Sequence, residues 1–133
     1  MTAIPDEVRA QLEAPNYWLL ATLNPDGHPQ VNPMWIHVEG DHVVVNTSIG
    51  RQKEKNVRRD PRVTIATTDD GNPYAYTEIR GKVVKYIEGD EAEASIDMLA
   101  KKYMGEDVYP WRQEGERRVK LLVEPTRINR WNP

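Results

Sequence analysis

Trp18-Leu-Leu-Ala-Thr-Leu-Asn24, then Pro29-Gln-Val-Asn-Pro-Met-Trp35, then Thr47-Ser-Ile-Gly-Arg-Gln-Lys-Glu-Lys-Asn56: these three blocks decide how the chain is read. The first is apolar and aromatic, as a strand requires. Asn24-Pro-Asp-Gly27 after it is a strong turn signal, because proline fixes φ and glycine accepts positive φ. The second block continues as a strand over Gln30 to Val38. Pro33 inside it cannot donate to a ladder, so the stretch belongs at a sheet edge or a bulge. The third block leaves a strand end and enters a cationic, helix-forming segment.

The remaining elements follow the same logic. Pro5 to Glu13 reads as a short helix with Val8 and Leu12 on one face. His42 to Thr47 is a strand centred on Val43-Val-Val45. Ile49 to Arg59 can form a helix with Ser48 as its N-cap, ended by Asp60-Pro61. Arg62 to Thr68 is a strand, and Tyr74 to Ile87 a long one in which Gly81 marks a bulge or barrel corner. Glu91 to Met104 has the clearest helical spacing, stopped by Gly105. Residues 106–116 form an acidic loop. Val119 to Val123 and Thr126 to Trp131 are expected as two short strands around Pro125. Six or seven short strands with few helices predict a mainly β domain, a closed or nearly closed antiparallel barrel.

The chain has 133 residues, the length of one domain. It has no cysteine, which removes disulfides, thiol nucleophiles and cysteine metal sites. Nothing resembles a membrane span or a signal peptide, so the cytoplasm is the expected location. Net charge is −3, yet residues 51–62 carry six basic groups against two acidic ones. A cationic patch on an acidic chain points to a discrete anion site. A nucleic-acid binder is usually basic over a whole face, so neither nucleic acid nor membrane is an expected partner.

Candidate chemistry concentrates in two places. The turn Ser48-Ile-Gly-Arg51 would offer free backbone N–H groups and the positive end of a helix dipole, with Arg51 and Lys53 beside it, which suits a phosphate. The same residues also read as a solvated surface helix with Glu54 and Arg58 paired. Asn32-Pro-Met-Trp35 reads either as backbone freed to bind the edge of a flat heterocycle or as an ordinary barrel strand. His28, His37 and His42 fit no metal spacing, and no metal site is expected. Ser48 and Ser95 sit in no nucleophile-elbow pattern, and no P-loop or dinucleotide fingerprint occurs. No catalytic residue is assigned. Tyr74, Tyr76, Tyr103, Tyr109, Trp111 and Trp131 could line a pocket or an oligomer interface, or simply pack.

Taken together, Leu20-Ala-Thr-Leu-Asn-Pro-Asp-Gly-His-Pro-Gln30, Trp35, Thr47-Ser-Ile-Gly-Arg-Gln-Lys53, Asn56-Val-Arg-Arg-Asp-Pro-Arg-Val63 and Gly81-Lys-Val83 resemble the pyridoxamine 5′-phosphate oxidase-like split β-barrels. Within these the chain is most similar to the flavin/deazaflavin oxidoreductases of the B group, many of which use coenzyme F420. The similarity spans about residues 8–131. It implies a single split-barrel domain over residues 1–133 and a homodimer with cofactor grooves at the subunit interface. It also implies that Arg51, Lys53 and Asn56 bind the cofactor phosphate. Asn46, Thr47, Ser48 and Ile49 would run along its linker, and Gln30, Val31, Asn32, Pro33, Met34 and Trp35 would flank the ring. Tyr76 and Trp111 would border the substrate from the partner subunit. The implied activity is hydride transfer from reduced F420 to a conjugated or quinone-like small molecule. Lys55, Arg58 and Arg59 would suit the acidic tail that F420 carries beyond its phosphate. FMN on the same barrel is the alternative cofactor, and a non-catalytic flavin or tetrapyrrole carrier the alternative role. The chain lacks the longer C-terminal segment of the pyridoxamine phosphate oxidases themselves, so vitamin B6 oxidation is not expected.

Overall fold

The computed structural model describes residues 2–133. Its elements run α1 (Asp6–Glu13), β1 (Trp18–Leu23), β2 (Pro29–Met34), β3 (Ile36–Glu39), β4 (His42–Ser48), α2 (Gln52–Arg59), β5 (Arg62–Asp69), β6 (Asn72–Glu88), α3 (Asp90–Met104) and β7 (Arg118–Trp131). The strands form one antiparallel sheet in the order β2-β1-β5-β6-β7-β4-β3.

That order dictates the shape. β2 and β3 are the two edges, yet a single residue, Trp35, joins them in the chain. The sheet therefore curls until its edges approach at Trp35, which gives a split β-barrel with a seam there. Trp18, Leu20, Ile36, Val43, Ile65, Ile79 and Leu121 fill the interior, and Val8, Leu12 and Val57 close it from α1 and α2. The amphipathic α1 and α2 thus cap the barrel, and α3 packs outside against β4, β6 and β7.

The seam is tied from α3. The Tyr103 hydroxyl donates to the Asn16 carbonyl at 2.6 Å and accepts from the Ile36 N–H at 3.1 Å. The Lys102 ammonium donates to the carbonyls of Leu12 and Ile36. Burial lowers Lys102 to a pKa of about 8. These bonds satisfy carbonyls at the end of α1 and in the loop after it, together with the Ile36 backbone at the start of β3.

Three expectations need correction. The strand expected over Gln30 to Val38 is two strands, because its residues serve opposite ends of the sheet. The helix expected from Ile49 begins at Gln52 with Arg51 as its N-cap residue, and no side chain caps it. Ser48 instead ends β4, where it pairs with Arg118 across the ladder, and Gly50 at φ +98° makes the turn. The two C-terminal strands are one, β7. Pro125 stands opposite Gly81 at a bulge, where the ladder does not need the missing N–H. Gly81 was expected at such a bulge and is found there. Pro33 lies on an edge strand, as its chemistry demands.

Candidate cofactor site

Beside the seam lies a cleft of about 240 Å³ between β2, β4, α2, α3 and the loop before β7. It is cationic on one side and aromatic on the other. Arg51, Lys53 and Arg118 line it, and Trp35, Tyr109 and Trp111 face them.

Lys53 leaves the first turn of α2 and is 7% exposed. Its ammonium contacts the Met34 sulfur at 3.1 Å, and among the described residues no carboxylate pairs with it. Burial first, then the positive charges of Arg51 and Arg118, lower its pKa to about 8. An amine so placed is a cation waiting for an anion: a bound phosphate would offset both the desolvation and the repulsion. The backbone N–H groups of the first turn of α2 stand next to it. Arg51 is half exposed and reaches Glu116 at 3.9 Å. Glu54 turns away, accepting from the Gly50 N–H at 2.8 Å and from Arg58 at 2.7 Å. The expected Glu54–Arg58 pair is therefore real and coexists with the cationic cleft.

The aromatic side is layered. Trp35 stacks on Tyr103 with ring centroids 5.5 Å apart and planes 6° from parallel. Trp111 lies over Trp35 at 6.1 Å and 30°. Tyr109 meets both rings edge-on at 6.0 Å. The loop that brings Tyr109 and Trp111 is pinned to α3: Arg112 pairs with Glu93 and Asp97, and the Tyr109 N–H donates to Asp97. Trp111 remains 60% exposed, so the mouth of the cleft is an accessible aromatic surface.

Asn32, Pro33, Met34, Trp35, Asn46, Arg51, Lys53 and Trp111 come together at this cleft. Others on the expected list do not line it. Val31 is 54% exposed and does not line the cleft. Gln30 lies deeper, its side-chain oxygen buried without a protein partner. Thr47 points into the barrel with its hydroxyl likewise unpartnered, and Ile49 packs against the core. Ser48 is spent on Arg118. Asn56 is 0% exposed, and its amide sits within reach of Thr22, Asn24 and Gln52. It joins α2 to the β1–β2 turn. Tyr76 lies on the outer face of β6 beside Tyr17 and Leu19, away from the cleft of its own chain. Arg58 pairs with Glu54 and Glu88 and covers the Tyr86 ring, and Arg59 donates to the Leu23 carbonyl. Of the three cations proposed for an acidic tail, those two are engaged elsewhere.

Arg118 is the residue that sequence reasoning missed. It stands 59 or more positions from the basic helix in the chain, and only the β4–β7 register brings it to the cleft. Among the described residues, no group of three or more His, Asp or Glu could hold a metal ion, and no helix is long and apolar enough to cross a membrane.

The split-barrel fold agrees with what comparison with known proteins finds. The family model described as pyridoxamine 5′-phosphate oxidase matches residues 4–132, and the chain belongs to that family. It is similar to a solved F420 reductase, at 33% identity over 95% of this chain and 98% of that one, with a TM-score of 0.82. A conserved hypothetical protein from Mycobacterium tuberculosis is 22% identical over 99% of this chain and 86% of that one, TM-score 0.77. A candidate pyridoxamine 5′-phosphate oxidase from Listeria innocua is 21% identical over 96% and 98%, TM-score 0.69. The last two bear on the fold alone. Family membership supports an oxidoreductase that works with a flavin-type cofactor.

Proposed function

We propose that the protein is an F420-dependent oxidoreductase that reduces a flat, conjugated or quinone-like acceptor. The observation that carries this reading is Lys53: a buried ammonium without a carboxylate, between Arg51 and Arg118, next to the Trp35 ring. A phosphate would satisfy the cations, and a flat ring would lie along the aromatic wall. The similarity to the F420 reductase favours deazaflavin over flavin.

When bound, reduced F420 supplies a hydride to the acceptor. The chain's part is to bind and orient. Lys53 and Arg51 hold the anionic end, which fixes how far the ring reaches towards the seam. Trp111, exposed at the mouth and backed by Trp35, offers a stacking surface that selects flat partners. The cleft is lined by no carboxylate and no histidine. The proton donors that line the cleft are the Tyr109 hydroxyl and the Lys53 ammonium, with solvent as the third source.

The cleft of one chain is smaller than the ~300–1,000 Å³ usual for a cofactor-sized ligand. A second copy would enlarge it into a groove. The exposed apolar strip of Tyr17, Leu19 and Tyr76 on the outer sheet face gives such a copy a surface to cover, and it is the route by which Tyr76 could reach a site at all. Sedimentation equilibrium is expected to return twice the 15.3 kDa chain mass; a monomer at micromolar concentration would remove Tyr76 from the site.

Parallel titrations with F420 and FMN, followed by tryptophan fluorescence, test the cofactor. The expected result is tighter binding of F420, with quenching dominated by Trp35 and Trp111. A preference for FMN would move the protein to flavin chemistry on the same barrel. Binding of neither would defeat the cofactor reading of the cleft.

A further inference from the structure

Arg118 is 3% exposed, a rare state for an arginine unless its donors are paired. It is held from three sides. Nε donates to the Asn46 side-chain oxygen at 2.9 Å, and Nη1 donates to the Ser48 hydroxyl at 2.9 Å and to Glu116 at 3.1 Å. The Tyr109 ring covers the guanidinium at 5.2 Å from its carbon. Among the described residues, Nη2 has no hydrogen-bond partner, while the side chain lines the cleft with Lys53 and Arg51.

We propose that Arg118 is a binding residue for the cofactor's phosphate, and that Asn46 and Ser48 act on the cofactor through it. The inference rests on the reading of the cleft as a cofactor site. Burying an arginine costs free energy unless each N–H finds an acceptor. Here two N–H-bearing nitrogens are fully engaged, and the third belongs to a side chain that lines the cationic cleft. Such a guanidinium is already immobilised, so a phosphate oxygen meeting Nη2 costs little further ordering. Lys53 contributes a mobile point charge and Arg118 a fixed donor, a pairing suited to a phosphate's several oxygens. Glu116 leaves the cluster cationic, because one carboxylate faces both Arg51 and Arg118. The linker role expected for Asn46 and Ser48 is thereby replaced: both side chains are spent on Arg118, and Asn46 also donates to the Ala92 carbonyl at 2.9 Å.

The test compares ligands with and without the phosphate: FMN against riboflavin, and F420 against its ribityl deazaflavin, which lacks the acidic tail as well. In Arg118→Gln the phosphate-bearing member of each pair is expected to bind about tenfold more weakly, and the phosphate-free member within twofold of wild type. Equal losses for both members would make Arg118 a purely structural residue and overturn the proposal, as would no loss. A loss confined to the F420 pair would assign Arg118 to the acidic tail and also overturn it. Lys53→Ala separates the failures: if that variant loses phosphate discrimination while Arg118→Gln keeps it, the cleft reading stands and the Arg118 inference falls. If neither variant changes discrimination, the cleft reading falls as well. Should Arg118→Gln not fold, the Arg118 Nε–H resonance of wild-type protein, assigned by its absence in Arg118→Lys, serves instead. It is expected to move on adding FMN and to stay on adding riboflavin; a resonance that FMN leaves in place overturns the proposal.

Discussion

Replacing Lys53 by Ala should weaken F420 binding about thirtyfold, roughly 2 kcal/mol, within the range for losing a charged hydrogen bond. The ligand-free protein should melt no lower than wild type, and this contrast marks the site. Lys53 is buried beside Arg51 and Arg118 and lacks a carboxylate, so its charge opposes folding until an anion arrives. The linkage has a definite sign. The folded pKa of about 8 lies below the model value of 10.5, so between these values the unfolded chain binds more protons. Lys53 therefore contributes a rise in ligand-free stability as pH climbs from about 8 to 10.5, and none below about 8. A bound phosphate favours the ammonium, so F420 affinity should fall as pH rises past about 8. Lys102 also titrates near 8 but is present in both proteins. The difference between wild type and Lys53→Ala isolates the Lys53 contribution. A pH-independent affinity difference, or an unchanged affinity in the variant, would show that no anion sits on this amine.

How much of this could be read from residues alone depended on whether the controlling physics was local. The Asn24-Pro-Asp-Gly27 turn and the α3 stop at Gly105 rest on φ preferences, the bulge at Gly81 on a missing side chain, and all three were legible. So was the cationic patch, since Arg51 and Lys53 lie two residues apart. The break at Trp35 was not: Pro33 calls only for an edge or a bulge, nothing local marks Trp35, and only closure of the sheet decides that two different edges are built from Gln30 to Val38. Ser48 shows the same limit. It has the chemistry of an N-cap, but ladder pairing with Arg118 outweighs the local option. Arg118 itself needed the β4–β7 register to be seen. The resemblance carried Lys53, Arg51 and Trp35 to one cleft but also grouped Asn56 and Thr47 with them. Their side chains are committed to the α2–β1 junction and to the barrel interior.

Gly81 is where closure of the barrel is most exposed to a single methyl group. β6 is 17 residues long, and it pairs with β5 and the end of β7 on one side of Gly81 and with the start of β7 on the other. A Cβ at this position would stand 2.6 Å from the Glu124 carbonyl oxygen and 2.8 Å from a Val123 methyl. The first contact is with backbone, which cannot rotate away as a side-chain tip can. Relief must come from parting β6 and β7 at the bulge, where Val83 and Val123 on either side are core residues. Gly81→Ala is therefore expected to destabilise the fold by about 3 kcal/mol, at the upper end of ordinary overpacking. For a chain of this length that is a fall of roughly 10 °C in melting temperature. The effect should pass to the cleft, because β7 carries Arg118 and pairs with β4 at Ser48 and Asn46. A shift of β7 would move the guanidinium relative to Lys53. Differential scanning calorimetry with and without F420 reads both effects. The variant should melt lower and gain less from the ligand than wild type does. A variant that melts like wild type would mean that the corner yields without strain, and that glycine at this bulge serves the sheet's curvature less than the close approach to Glu124 indicates.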